Sequence, residues 1–259
     1  MGSTPGRVVR LTLGYDGTGF RGWAHQADQR TVEGVLRDAL GRFLGSAPEL
    51  SVAGRTDAGV HARAQVASFA LEPGAEATVD LGRLQTSVNA MLGPEVVVSE
   101  ARLAPPGFDA RFSASARGYR YRIETGPWPD PFTARFVWHR PGELSLSRMR
   151  GAAAHLVGEH DFTSFCRRPP RDRSTVRSLE RLAVVRGDSR IEIAATANAF
   201  LHQMVRSLVG TLVAVGAGSR EPEEMSGVLA ARDRSAAGQL APAHGLTLER
   251  IVYGRRVPP

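Results

Sequence analysis

The chain has 259 residues, 42% apolar and 23% charged, proportions that suit a soluble globular protein with one large core or two ordinary ones. Its net charge of +7 and pI near 10.7 favour an anionic partner, and all 33 basic residues are arginines, so Schiff-base chemistry and the lysine-bearing phosphate loop are excluded. The single cysteine, Cys166, excludes an intrachain disulfide and a cysteine zinc cage; no apolar run reaches membrane-spanning length and Met1-Gly2-Ser3-Thr4-Pro5 lacks a signal peptide's apolar stretch, so a cytoplasmic protein is expected.

Residues 8–14 read as a strand. Thr31 then caps a helix with Val32, Val35, Leu36, Ala39, Leu40, Phe43 and Leu44 on one face, and Gly45 stops it. Gly17-Thr18-Gly19-Phe20-Arg21-Gly22 matches G-x-G-x-x-G after a strand, but residues 23–30 have no helical apolar period, so the context of a dinucleotide loop is missing. Residues 50–53 form a short strand that enters a loop, and 65–71 alternate as the strand returning from it. A helix over 80–92 places Leu81, Leu84, Val88 and Met91 on one face, Gly93-Pro94 ends it, and 95–99 form a strand.

That order, strand, helix, strand, strand, helix, strand, is the ferredoxin-like pattern of helices on one face of an antiparallel sheet. After Pro105-Pro106-Gly107 it repeats more loosely: strand 118–123, helix 147–157, strands 179–185 and 191–196 flanking a Gly187-Asp188 hairpin, a helix carrying Leu201, Val205, Leu208, Leu212 and Val215, an inserted helix over 222–231, and strand 246–252. The expected fold class is α/β of the α+β kind. Two ferredoxin-like, or RRM-like, halves with antiparallel sheets comprise an N-terminal domain 1–104 and a C-terminal domain 105–259, with an active-site cleft between them.

The loop between 53 and 65 carries the chemistry. Gly54-Arg55-Thr56-Asp57-Ala58-Gly59-Val60-His61-Ala62 sets one carboxylate between two glycines and close to an arginine, so Asp57 can sit on a tight loop facing a ligand while Arg55 orients it. A bare Thr-Asp-Ala-Gly is also compatible with a strand-ending turn in which Asp57 bonds its own backbone. In Ser115-Ala116-Arg117-Gly118-Tyr119-Arg120-Tyr121 the tyrosines face one way and Arg120 the other, which by itself fits a half-buried strand with a solvated basic face. His202 and Met204 read as packing on their helix, and Leu246 as a strand residue. Arg167-Arg168-Pro169-Pro170-Arg171-Asp172-Arg173 is a proline-stiffened basic loop, suited to solvent or to a phosphate backbone. His155 and His160 lack metal-ligand spacing and no His-Glu-x-x-His occurs, so no metal is assigned.

The nonapeptide 54–62 resembles the active-site signature of the TruA family of tRNA pseudouridine synthases. Tyr15-Asp16-Gly17-Thr18-Gly19-Phe20-Arg21-Gly22-Trp23-Ala24-His25-Gln26 is similar to its N-terminal signature, with Ala24 standing where glutamine is usual. The segments around Tyr119, Asn198 to Gly210, and His244-Gly245-Leu246 resemble further family motifs in the right order. The resemblance implies isomerisation of uridine to pseudouridine at positions 38, 39 and 40 of the tRNA anticodon stem-loop, by a homodimer without a cofactor. It implies Asp57 as the catalytic carboxylate, Tyr119 as the ring packed on the target base, Arg206 as an arginine projecting into the cleft, and Leu246 as the residue closing the apolar side of the base pocket. With an RNA substrate, Arg167, Arg168 and Arg171 become phosphate contacts. Two rivals are a non-catalytic RNA-binding protein and a nucleoside or glycoside hydrolase, for which Asp16 would be the second carboxylate.

Overall fold

A computed structural model describes residues 7–72, 78–167, 174–187 and 190–254. The described residues fall into two units, one running to Ser115 and resuming at Leu248, the other spanning Ala116–Thr247. The sequence reading divides the chain once, at 104/105, whereas here the C-terminal strand runs from the second unit back into the first.

In the first unit β1 (Val8–Tyr15) alternates, with Val9, Leu11, Leu13 and Tyr15 buried, as a strand with one core face must. Helix α1 (Val32–Leu44) begins at Thr31, whose hydroxyl accepts from the Gly34 amide at 3.2 Å, and ends at Gly45 with φ +86°. β2 (Ser51–Val52) and β3 (His61–Ala70) flank the Asp57 loop. Helix α2 (Leu81–Leu92) starts at Asp80, whose carboxylate accepts from the Gly82 and Arg83 amides at 2.9 and 3.0 Å, and β4 (Val96–Leu103) follows. β1 is antiparallel to both β3 and β4, and β2 is antiparallel to β3. β3 begins four residues before the expected 65, because pairing with β1 continues past a register shift between Leu13 and Tyr15 to Tyr15↔Ala62.

The second unit contains most of β5 (Ala114–Glu124), β6 (Trp138–His139), α3 (Leu146–Leu156), β7 (Gly158–Asp161), β8 (Val176–Arg186), β9 (Arg190–Ala197), α4 (Met204–Gly216) and α5 (Glu224–Ala231). Its antiparallel strand order is β5-β9-β8-β7. Asp188 of the expected hairpin lies outside the described residues; the strands on either side pair as expected. The α4 stripe is buried, but the helix opens at Met204 rather than Leu201, because Gln203 takes a left-handed conformation, φ +61°, that interrupts the helical run. The basic side chains on the other face of β5 are neutralised in part: Arg120, still partly exposed, and the more buried Arg122 both pair with Glu192 of β9, Arg122 Nε at 3.4 Å.

β10 (Leu246–Tyr253) opens in the second unit and from Leu248 belongs to the first, where it lies beside β3. Its end is fixed there by Tyr253, whose hydroxyl donates to the Ala110 carbonyl at 2.8 Å and whose ring lies 5.0 Å from Phe108 and under the Arg10 guanidinium. No described helix is long and apolar enough to cross a membrane.

Candidate active site

The Asp57 loop bridges two strands with almost no ladder of its own, so its shape depends on contacts from β1 and from the segment after it. Thr56 is buried and Asp57 half-buried, while Arg55 and Ala58 are exposed. The Trp23 amide donates to the Thr56 carbonyl at 3.0 Å, the Gly59 amide to the Phe20 carbonyl at 3.3 Å, and the Val60 amide to the Asp57 carbonyl at 3.1 Å. Gly59 has φ +76°, a turn that disfavours any side chain. Gly22 lies so close that a Cβ there would come within 2.8 Å of the Thr56 carbonyl oxygen. The N-terminal glycine motif is therefore a brace for the Asp57 loop, with a 3-10 turn at Gly17–Gly19 and no helix following Gly22.

Below the loop lies a buried polar group to which the sequence reading assigned no role. The Tyr15 and Thr56 hydroxyls share a 2.8 Å hydrogen bond, and Gln65 Nε2 donates to the Tyr15 oxygen at 3.3 Å and to the Gly54 carbonyl at 2.6 Å. Burial pushes the Tyr15 phenol up to about 12 despite these hydrogen bonds, so it stays neutral and available as donor. A sequence signal existed: Gln65 opens an apolar alternating run, and a buried amide needs partners. Nearby, His61 is buried with Nδ1 accepting from the Gly17 amide at 3.0 Å. Asp16 accepts from the Thr18 amide at 3.0 Å and the Thr18 hydroxyl at 2.6 Å, and lies 3.2 Å from His61 Nδ1. Asp16 thus caps the 3-10 turn through one carboxylate oxygen, Oδ1.

In the second unit, Tyr119 on β5 is 8% exposed and stands edge-on to Phe200, ring centroids 5.1 Å apart at 88°. Phe200 is a second aromatic that the sequence reading gave no role. Tyr121, on the same face, is core: its hydroxyl donates to the Pro242 carbonyl at 2.7 Å, and burial pushes its phenol far above the ordinary value. Arg206 on α4 is half-buried, with Nε donating to the Ala241 carbonyl at 2.8 Å and its own carbonyl accepting from the Ala241 amide at 3.2 Å. Its charge is felt by His244, whose imidazole is held below its usual range first by burial and further by Arg206, against a hydrogen bond with the Val137 backbone. Leu246, 5% exposed, opens β10 directly after the 3-10 turn Ala243–Gly245. Arg167 is exposed, its amide donating to the His202 carbonyl; Arg168 and Arg171 lie outside the described residues. Among the described residues no three His, Cys, Asp or Glu side chains gather to hold a metal.

Set beside known proteins, the antiparallel α/β chain falls into a class: residues 152–254 match the family described as tRNA pseudouridine synthase. Over nearly its whole length the chain is also similar to proteins named tRNA pseudouridine synthase A. Identity is 44% to that of Mesorhizobium japonicum, covering 94% of this chain and 98% of the relative. It is 48% to that of Frankia casuarinae, covering 95% and 89%, and 45% to that of Streptomyces avermitilis, covering 96% and 89%. The chain belongs to the tRNA pseudouridine synthase A family.

Proposed function

We propose that this protein isomerises uridine to pseudouridine at positions 38, 39 and 40 in the anticodon stem-loop of tRNAs, with Asp57 initiating cleavage of the glycosidic bond. The observation that carries the reaction is identity of 44–48% to tRNA pseudouridine synthase A relatives along almost the entire chain. The three target positions rest on the motif resemblance. What supports Asp57 is its setting: a half-buried carboxylate on a loop held from several sides, in the nonapeptide that resembles the family's active-site signature.

The chemistry needs little machinery. The N1–C1′ bond breaks, the uracil turns in place, C5 bonds to C1′, and the C5 proton is lost while N1 gains one, so no electrons or groups enter or leave. One ionised carboxylate suffices to start this, by attack on C1′, by addition to C6, or by removing the C2′ proton. Tyr119, already edge-on to Phe200, offers a ring on which the detached uracil stacks, and Leu246 closes the apolar side of the base. Arg206 and the exposed Arg55 hold the carboxylate or a substrate phosphate. Extracting a base from a stem costs a few kcal/mol, which phosphate contacts from Arg167, Arg168 and Arg171 offset. The protein works as a cytoplasmic homodimer without cofactor on this reading.

The test incubates an unmodified tRNA transcript bearing anticodon-stem uridines with wild type and Asp57→Ala, then maps pseudouridine and free uracil. Pseudouridine from wild type alone is expected, with tRNA affinity of the variant within about 3-fold, because the carboxylate does chemistry rather than docking. Binding without product would mark an RNA-binding protein, and free uracil a hydrolase.

A further inference from the structure

Thr56 and Asp57 are adjacent in the chain but differ in surroundings. Thr56 is 7% exposed, its hydroxyl 2.8 Å from the Tyr15 hydroxyl and its carbonyl accepting from the Trp23 amide at 3.0 Å. The residue immediately before Asp57 is therefore held by side chain and main chain together. Gln65, fully buried, ties the same phenol to the Gly54 carbonyl, three residues before Asp57. Three polar side chains under one loop are an expensive way to fill a core, since each loses its water and must find its partner inside. An apolar trio would pack there without that cost but would leave the loop held by its main-chain hydrogen bonds alone. Tyr15 lies at the end of β1, just past a register shift of that strand against β3.

We infer that Tyr15, Thr56 and Gln65 form a positioning unit for Asp57, acting through the Thr56 hydroxyl to fix where the carboxylate meets the ribose and base. This inference rests on Asp57 being the initiating carboxylate. A carboxylate displaced by a fraction of an ångström still binds tRNA but reaches the reacting atoms less often, so the effect belongs to the chemical step.

The experiment measures single-turnover pseudouridine formation, tRNA affinity and thermal unfolding for the full chain as wild type, Asp57→Ala, Thr56→Val, Thr56→Ser, Tyr15→Phe and the Tyr15→Phe/Thr56→Val double variant. Thr56→Val and Tyr15→Phe should each slow the chemical step by about 10- to 100-fold while tRNA affinity stays within about 3-fold. Thr56→Ser, which restores the hydroxyl, should recover to within about 3-fold of wild type, and the double variant should lose no more than the slower single variant, because both cut one link. Normal single-turnover rates in both single variants, with lowered unfolding temperatures, would overturn the inference and leave a merely structural network. So would losses that multiply in the double variant. If Thr56→Val does not fold, Tyr15→Phe, which keeps the ring, decides alone. A wild type without product, or an Asp57→Ala variant as active as wild type, would remove the reading beneath the inference. That outcome is distinct from unaffected Thr56 and Tyr15 variants in an enzyme that depends on Asp57.

Discussion

At Tyr15, one residue links a structural cost to a pH dependence. In the unfolded chain its phenol releases its proton near pH 10, while in the fold burial holds it to about 12. Between those values the unfolded state binds fewer protons than the folded one, so stability is present in full below pH 10 and is lost as pH rises towards 12. The loss from Tyr15 amounts to at most about 3 kcal/mol. Denaturant unfolding between pH 8 and 11.5 should show the decline, and Tyr15→Phe should flatten it. Tyr121 pulls in the same direction in both proteins, so the difference between them isolates Tyr15. An equal decline in both would mean that the phenol is not buried as described. The residue scale is also where sequence and structure diverge most: Thr56 is one side chain in a loop motif, yet its partner lies 41 residues away, at the end of β1.

Helix α4 shows the same divergence at the scale of an element. Its apolar stripe is legible because a 3.6-residue period is local, but the stripe cannot reveal that Gly210 is a contact point. A Cβ on Gly210 would lie 1.7 Å from the Gln239 carbonyl oxygen, and this close approach brings residues 238–241 alongside the helix, where Ala241 receives Arg206. Helix propensity alone predicts that Gly210→Ala stabilises by about 1 kcal/mol. The backbone clash reverses the sign, and we expect destabilisation of at least about 2 kcal/mol in denaturant unfolding. Gly227 in α5 has open space where its Cβ would be, so Gly227→Ala should instead be neutral or stabilising by up to about 1 kcal/mol. Similar effects at both sites would contradict the packing. Elements absent from the sequence reading are short: β6 is two residues and β7, Gly158–Asp161, has no apolar alternation, existing because β8 pairs with it.

For the whole molecule, a charge of +7 built only on arginine predicts tRNA binding that weakens with salt, each phosphate contact adding to the slope. Replacing Arg167 and Arg168 together by alanine should weaken binding and lower the slope of log affinity against log salt by about 2 if each touches a phosphate. An unchanged slope would return the basic loop to solvent. Much of this protein was determined by its sequence: the cap at Thr31, the stop at Gly45, the antiparallel strand and helix order, and the motif that marks the family, because caps, periods and motifs are properties of neighbouring residues. Only the tertiary structure decided that β10 returns to the first unit, where Tyr253 meets Ala110, Phe108 and Arg10. It also decided that Arg120 and Arg122 meet Glu192, and that Tyr15 and Gln65 stand beneath the aspartate loop. Those contacts join residues from 11 positions apart, Gln65 and Gly54, to 243, Arg10 and Tyr253, and no local pattern records which partner a side chain meets across such separations.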